Sequence, residues 1–318
     1  MFHGPGESTG SLALWAIDRF QCAEGSAQGD HYWVTQWERA SGDRVGSDRE
    51  TQAAVTDAIL AEIRDFLTNR DARSATWLGR PEQGVPSEPR TLLGQPPSGR
   101  FVAREGASRF AIQLLGARHP GLFLDHLPLR NWLGSSAQGW RVLNTFAYTG
   151  SLSVACGLGG AAHVTTLDLS KPTIDWAQEN WRLNGLADDR ARFIAGDVFE
   201  WLPRLAREGE RSGRRYDCVI LDPPSFSRGH KGTFSTQKDL VRLHELALDL
   251  VTEGGHLVTS INSAQITWAK YEADVQAAAR ARKASLQILA RVDLPETFPT
   301  ALGRTEDRYL KGWVLRKV

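Results

Sequence analysis

The sequence predicts an α/β protein in which a mostly parallel sheet, covered by helices on both faces, follows a small α+β domain. From Trp140 onward, short apolar segments alternate with amphipathic segments of helical period, and this alternation is typical of βαβ units. Before about residue 120 the pattern is irregular and includes a stretch dense in proline and glycine. The chain is therefore predicted to divide into residues 1–120 and residues 121–318.

Composition excludes several classes of protein before any motif is considered. The chain has 318 residues, of which 41% are hydrophobic and 24% charged, so disorder is excluded. No apolar run approaches the length of a membrane span, and the first residues do not resemble a secretory signal. Three cysteines without zinc-ligand spacing argue against disulfides and metal, so a reduced cytoplasm is the expected location. The net charge of +1 does not by itself indicate a nucleic-acid partner.

The elements predicted before residue 120 are three strands and one helix. The strands are rich in aromatic and β-branched residues, and they are Leu12–Arg19, His31–Trp37 and Arg109–Leu115. A capping box begins at Ser47, and apolar residues at helical spacing continue to about Asn69. Residues 80–100 are dense in Pro, Gly and Ser and are interpreted as a loop.

The second domain is predicted to contain five parallel strands and then an antiparallel pair at the sheet edge. The strands are Arg141–Phe146, His163–Asp168, Ala191–Ala195, Tyr216–Asp222, His256–Asn262, Gln287–Asp293 and Tyr309–Arg316. Three of the intervening helices have clear amphipathic patterns or end signals, and they are Lys171–Asn184, Lys238–Thr252 and Trp268–Ser285. The second of them is predicted to stop at Gly254-Gly255.

Polar residues follow four successive strands at their carboxyl ends, where ligands of open parallel sheets bind. The first strand leads into Phe146-Ala147-Tyr148-Thr149-Gly150, and the second ends at Asp168. The third is followed by Gly196-Asp197-Val198, and the fourth by Asp222-Pro223-Pro224-Ser225-Phe226. An acid about 20 residues beyond a glycine turn suits ribose hydroxyls. Each acid alone could be an ordinary helix cap, but their recurrence at strand ends favours a ligand site.

A dinucleotide site is the first alternative, and the sequence disfavours it. The first strand is not followed by GxGxxG, the turn that holds a pyrophosphate at a helix N-terminus. One glycine flanked by Phe146 and Tyr148 better suits a ligand without phosphate, such as S-adenosylmethionine. The Asp-Pro-Pro-x-Phe loop combines a hydrogen-bond acceptor, a stiff backbone and an aromatic face, which fits a clamp for a nucleobase.

These motifs resemble the class I methyltransferases, and among them the large-subunit ribosomal RNA methyltransferase family of the RlmK domain of RlmKL and of RlmI. The resemblance runs from about Gly121 to the last residue. It is carried by Gly121–His126 with Arg130, Asn144–Ser151, Gly157–Ala161, Thr166–Ser170, Asn180–Leu186, Asp222–Ser227 and Ser260–Asn262. It implies a Rossmann-like, seven-stranded sheet with an antiparallel edge strand that binds S-adenosylmethionine.

The resemblance also implies which residues contact the cofactor. They are Asp125, Arg130, Phe146, Ala147, Tyr148, Thr149, Gly150, Asp168, Leu169, Asp197, Val198 and Asp222. Asp168 would accept hydrogen bonds from the ribose hydroxyls, and Asp197 with Val198 would flank the adenine. The family pattern has an arginine directly after Asp-His, where this chain has Leu127-Pro128.

The methylated atom is predicted from the residues at the end of the fifth strand. The RlmI-like branch makes 5-methylcytosine with a cysteine nucleophile at that point, but this chain has Ser260-Ile261-Asn262-Ser263 there. Asn262 resembles the RlmK branch, which methylates guanine N7. Cys22, Cys156 and Cys218 are predicted to be structural.

The candidate catalytic residues are Asp222, Pro223, Pro224, Phe226 and Asn262. Asp222 and Asn262 would hydrogen-bond a flipped base, Phe226 would stack on it, and the prolines would hold the loop. The expected partner is an RNA substrate from the large ribosomal subunit, with the N-terminal domain as a candidate for substrate binding. The alternatives are a methyltransferase for a protein or small molecule, and a non-catalytic RNA-binding protein with the same fold.

Overall fold

The computed structural model describes residues 2–3, 13–22, 24–25, 27–37, 49–80, 88–229, 232–263, 265–298 and 309–318. The chain divides into two compact units, Met1–Leu124 with Glu296–Thr305 and Asp125–Pro295 with Glu306–Val318. The predicted capping residue Ser47 lies outside the described residues. Among the helices that are described, none is long and apolar enough to cross a membrane.

The described residues of the N-terminal unit form a five-stranded sheet, one α-helix and a separate hairpin. The sheet strands, in spatial order, are β1 (Phe2–His3), β2 (Trp15–Cys22), β3 (Gly29–Trp37), β4 (Ser74–Arg80) and β5 (Arg90–Gly94). Helix α1 (Arg49–Thr68) connects the parallel pair β3 and β4, and the hairpin strands are β6 (Phe101–Glu105) and β7 (Ser108–Ile112). Helix α1 buries Leu60, Ile63 and Leu67 against the sheet residues of a common core.

Part of the segment predicted as a loop is a strand. Within residues 80–100, β5 pairs antiparallel with β4 and buries Leu92. The strands β4 and β6 were also missing from the predicted set. Burial of one apolar residue against the core is enough to form a strand beside prolines and glycines, because strand propensity depends strongly on tertiary context.

The second unit contains the seven-stranded sheet expected from the resemblance. Its strands, in spatial order, are β10 (Ala191–Ala195), β9 (His163–Asp168), β8 (Arg141–Thr145), β11 (Tyr216–Leu221), β14 (Val251–Ile261), β16 (Lys311–Lys317) and β15 (Leu286–Arg291). All pairs from β10 to β14 are parallel, whereas β16 is antiparallel to both β14 and β15. A two-stranded hairpin, β12 (Phe226–Gly229) and β13 (Gly232–Ser235), follows β11.

The helices of this unit pack in two groups. The first group contains α2 (Leu127–Ser136), α3 (Ser151–Leu158) and α4 (Lys171–Leu183), and the second contains α5 (Val198–Ser212), α6 (Thr236–Leu248) and α7 (Trp268–Ala281). Right-handed crossovers place the two groups on opposite faces, because the strand order reverses direction at β8. The crevice beside β8 at the carboxyl edge is the position where open α/β sheets bind ligands.

The start of β14 differs from the prediction. Helix α6 ends at Leu248 and β14 already begins at Val251, so Gly254-Gly255 lies inside the strand and does not terminate a helix. The register against β11 shifts between Val251 and His256, and Gly254 has a φ of 75°. A positive φ at this irregularity favours glycine, which adopts the left-handed region at no steric cost.

Candidate functional site

The turn after β8 holds unusual backbone conformations. Phe146, Tyr148 and Gly150 have φ values of 51°, 49° and 76°, although a left-handed conformation costs a non-glycine residue about 1–2 kcal/mol. Two hydrogen bonds offset this cost: the Ala147 amide donates to the Leu167 carbonyl at 3.1 Å, and the Tyr148 amide donates to Asp168 Oδ2 at 2.8 Å. Strain of this kind concentrates at functional sites.

Helix α4 supports the same turn from the side. Asn180 Nδ2 donates to the Thr149 carbonyl at 2.9 Å, and both side chains are fully buried. A Cβ atom at Gly150 would lie 2.9 Å from the Cβ of Ala177. The turn therefore requires glycine at its last position for two reasons, the positive φ and the close approach of α4.

Asp168, at the end of β9, holds the turn through its carboxylate. Besides the bond from Tyr148, its Oδ1 accepts from the Ser170 amide at 3.1 Å. Burial raises the pKa of Asp168, and the backbone donors partly offset that rise. The cap of α4 is Ser170, so Asp168 is not the helix cap. Each carboxylate oxygen has two lone pairs, which leaves Asp168 able to accept from further donors.

Asp197, in contrast, is the N-cap of α5. Its carboxylate accepts from the Phe199 amide at 2.8 Å, as the cap interpretation of the sequence would require. Val198 is buried in the core of the unit, whereas Leu169, which follows Asp168, is 39% exposed. A Cβ at Gly196 would lie 2.1 Å from the indole nitrogen of Trp201. The indole of Trp201, which was not among the predicted site residues, thus packs against the turn that precedes Asp197.

The loop after β11 brings Asp222 and Asn262 to the same edge of the sheet. Ser260 Oγ, in β14, donates to Asp222 Oδ1 at 2.6 Å, and Ser225 Oγ lies 3.4 Å from Asn262 Oδ1. Pro223 is buried and Pro224 exposed. Phe226 begins β12, but its side chain lies outside the described part of the structure, so its stacking role stays a prediction.

A buried histidine that was not predicted as a site residue lies behind Asp222. His126 Nδ1 is 3.0 Å from Asp125 Oδ1, and its Nε2 is 3.3 Å from Asp222 Oδ2. Tyr309 Oη donates to Asp125 Oδ2 at 2.9 Å. Burial opposes protonation of His126, but the carboxylates of Asp222 and Asp125 outweigh it and raise the pKa of the imidazole to about 10. The histidine is therefore a cation at neutral pH.

The pKa of Asp125 is lowered in the same cluster. Burial alone would raise it, but the charge and hydrogen bond of His126, the hydroxyl of Tyr309 and the charge of Arg130 have the larger combined effect. Arg130, in α2, is itself 4% exposed. Within the described residues, no group of three or more His, Cys, Asp or Glu side chains could hold a metal ion.

Comparison with known proteins identifies the family. A sequence model of the S-adenosylmethionine-dependent methyltransferases matches residues 85–307. The chain belongs to this family. As a member of it, the protein is an enzyme that uses S-adenosylmethionine.

Curated relatives of this methyltransferase are named ribosomal RNA large subunit methyltransferase K/L. The protein from Syntrophotalea carbinolica is 42% identical over 165 residues, which cover 51% of this chain and 22% of the relative. The protein from Aeromonas hydrophila is 33% identical over 249 residues, which cover 78% of this chain and 32% of the relative. The matched part therefore spans a third or less of the length of these relatives.

The fold of this methyltransferase is shared with solved structures. A protein assigned as a methyltransferase and solved in complex with S-adenosylhomocysteine has a TM-score of 0.77 and 26% identity, covering 95% of this chain and 76% of that chain. The resemblance, fold class and cofactor predicted from the sequence are thereby confirmed.

The residues of this methyltransferase fit S-adenosylmethionine at the carboxyl edge of β8 and β9. Gly150 lets the backbone of the turn pack closely, and Asp168 keeps acceptor capacity for the two hydroxyls of a ribose. Leu169 offers an exposed apolar surface beside that acid. These observations support the predicted cofactor contacts of Phe146–Gly150, Asp168 and Leu169, whose roles stay predictions together with those of Asp125, Arg130, Asp197 and Val198.

Proposed function

We propose that this methyltransferase transfers the methyl group to a base of large-subunit ribosomal RNA, and that the acceptor is N7 of guanine. The observation that carries the proposal is the pairing of Asp222 and Asn262 at one edge of the sheet, each beside a serine hydroxyl. The carboxylate of Asp222, on a proline-stiffened loop after β11, and the amide of Asn262, directly after β14, give the acceptors and donors needed to hold a flipped base.

Guanine N7 fits this arrangement chemically. Its lone pair lies in the plane of the ring and requires no deprotonation, so the enzyme needs only to position N7 in line with the methyl group. Ser225 lies on the oxygen side of the Asn262 amide, which leaves the NH₂ group to donate to the neighbouring O6 of guanine. Adenine has an amino group at that position and would present a donor to a donor.

Asp222 contributes through its charge. S-adenosylmethionine supplies a methyl group on a sulfonium, and a purine methylated at N7 carries the positive charge afterwards. A fixed carboxylate beside the base stabilises that charge as it develops, and preorganised electrostatic stabilisation of this kind often contributes more to catalysis than any other effect. Asp222 has no proton to remove in this reaction, so it acts as an acceptor and not as a general base.

The cysteines argue against the 5-methylcytosine alternative. That chemistry needs a thiolate that attacks the base, but all three cysteines are buried. Burial raises the pKa of Cys156 and of Cys218, which lie in α3 and β11 and not after β14.

The proposal of a ribosomal RNA substrate rests on the names of relatives that match over only part of their length, and so it is an inference by analogy. The substrate-binding role of the N-terminal unit stays a prediction.

The test is incubation of the protein with S-adenosylmethionine and unmodified ribosomal RNA, followed by mass spectrometry of the digested nucleosides. The expected product is 7-methylguanosine. Formation of 5-methylcytidine would overturn the assignment of the acceptor atom, and no methylated nucleoside despite measurable cofactor binding would favour a protein or small-molecule substrate. In the same assay, Asp222→Ala should lower methyl transfer far more than cofactor affinity; equal losses would remove Asp222 from the base-binding role.

A further inference from the structure

A cluster of ionisable side chains, two of them buried and one partly exposed, lies directly behind the proposed base-binding loop. It consists of Asp125, His126 and Asp222, with Tyr309 bound to the far oxygen of Asp125. The three residues come from two segments of chain: His126 immediately precedes α2, whose first turn makes no side-chain hydrogen bond to it as a cap, and Asp222 follows β11. The imidazole is therefore available to the two carboxylates on its two sides.

We propose that His126 is a positioning residue for methyl transfer, which orients the Asp222 carboxylate toward the base. This inference rests on the proposed function of Asp222 and assigns a role to a side chain that would touch neither base nor cofactor. It also gives a reason for the presence of two buried ionisable side chains, Asp125 and His126, behind a partly exposed carboxylate, since buried charges cost free energy when they leave water.

The orientation follows from contacts on both oxygens of Asp222. Ser260 donates to Oδ1 at 2.6 Å from β14, and His126 Nε2 lies 3.3 Å from Oδ2. The Ser260 contact is a hydrogen bond, whereas the His126 contact is an ion pair without hydrogen-bond geometry. Together they limit the directions in which the carboxylate presents its remaining lone pairs, and misplacement of a reacting group by about 1 Å can cost roughly 100-fold in rate. Removal of His126 would leave Ser260 as the partner that holds the carboxylate.

The ionisable groups around His126 also favour this orientation. Asp125 and Asp222 face its two nitrogens, Arg130 of α2 interacts electrostatically with Asp125, and the phenol of Tyr309 donates to Asp125. The imidazole thus separates two carboxylates. Without it they would repel each other, and this repulsion would displace the Asp222 side chain from the position in which it faces the base.

The position of His126 in this cluster makes the test specific. His126→Gln keeps a polar side chain of similar reach and removes the charge. We expect kcat at pH 7 to fall at least about 10-fold, since the positioning is lost, while the KM for S-adenosylmethionine stays within about two-fold of the wild-type value.

Two further variants separate positioning from misfolding. Asp125→Asn combined with His126→Gln removes the cation together with one of its two anions, so kcat should stay as low as in His126→Gln. His31→Gln replaces another buried histidine, which is bound to Ser74 and the Ala27 carbonyl in the N-terminal unit. It should lower the melting temperature without lowering kcat. A wild-type kcat in His126→Gln would overturn the proposal.

A readout that needs no substrate distinguishes failure of this inference from failure of the proposed function. Carbon-13 NMR of labelled aspartate carboxyls, assigned with Asp222→Asn, reports the surroundings of the Asp222 carboxylate directly. The proposal requires the Asp222 resonance at pH 7 to move in His126→Gln and to keep its wild-type position in His31→Gln. An unchanged resonance in His126→Gln would overturn the role of His126, whatever the RNA assay shows. Absence of 7-methylguanosine with the wild type would overturn only the proposed substrate.

Discussion

Substitution of Gly150, the last residue of the turn after β8, tests how closely α4 packs against that turn. Gly150 has a φ of 76°, and an added Cβ would lie 2.9 Å from the Cβ of Ala177. An alanine in the left-handed region costs about 1–2 kcal/mol, and a methyl group forced into a packed site costs about 1–3 kcal/mol more. Gly150→Ala should therefore lower the free energy of unfolding by roughly 2–5 kcal/mol.

The chain offers a matched control for the strain alone. Gly213, at the end of α5, has a φ of 66° and nothing within 4 Å of an added Cβ. Gly213→Ala should therefore cost only the conformational part, about 1–2 kcal/mol. For a unit of this size, each kcal/mol lowers the melting temperature by about 2–4 °C.

The assay is thermal unfolding followed by circular dichroism, together with calorimetric titration of S-adenosylmethionine. Gly150→Ala should weaken cofactor affinity, whereas Gly213→Ala should not. Adding Ala177→Gly should recover the free energy lost to steric overlap but not that lost to strain, a non-additivity that a double-mutant cycle measures. Equal melting temperatures for the two single glycine variants would refute the close approach of α4.

Three further predictions concern single side chains. Asp168→Asn should weaken S-adenosylmethionine binding at least about 10-fold, since a buried acceptor for two hydroxyls is lost; unchanged affinity in titration calorimetry would contradict the ribose role. The carboxylates around His126 raise the pKa of its imidazole from 6.5 to about 10. The ion pairs of His126 should therefore stabilise the fold fully below pH 6.5, and this stabilisation should be lost as the pH rises through 10. The gap in unfolding free energy between wild type and His126→Gln should therefore narrow by up to ~5 kcal/mol over that range in urea titrations, and a constant gap would speak against the ion pairs. Iodoacetamide at pH 8 should label Cys156 and Cys218 only in urea, because burial raises the pKa of both thiols; rapid labelling of the folded protein would show that they are accessible.

The central strands were predictable because their signals are local. His163–Asp168 and Ala191–Ala195 form strands with the predicted bounds, since each is a short segment rich in apolar and β-branched residues set between helical patterns. The secondary-structure prediction was wrong at some glycines and prolines, because these residues occur in more than one kind of local structure. Gly254 marks a bulge inside β14 and not the end of α6, and the residues around Leu92 form a strand within a proline-rich segment.

The candidate site was predictable only at the strand ends. Parallel strands bring their carboxyl ends to one edge whatever the details of packing, so the sequence indicated Asp168 and Asp222 together. The partners of these acids depend on three-dimensional packing. Tyr309 lies 184 residues from Asp125, and His126 reaches Asp222 only because the segment before α2 packs beside β11. No pattern in the sequence marks these pairings.

The position of β16 has a consequence for how the sheet can be assembled. Strand β15 precedes β16 in the chain, yet within the described residues it joins the sheet only through β16, which lies between it and β14. During synthesis the ribosome makes β14 and β15 first, and until residues 311–317 emerge β14 presents an open edge that can pair with another chain. Completion of this half of the sheet is therefore a late event, and a stall before β16 would release a protein in which β15 is unpaired and β14 is paired on one side, with β11.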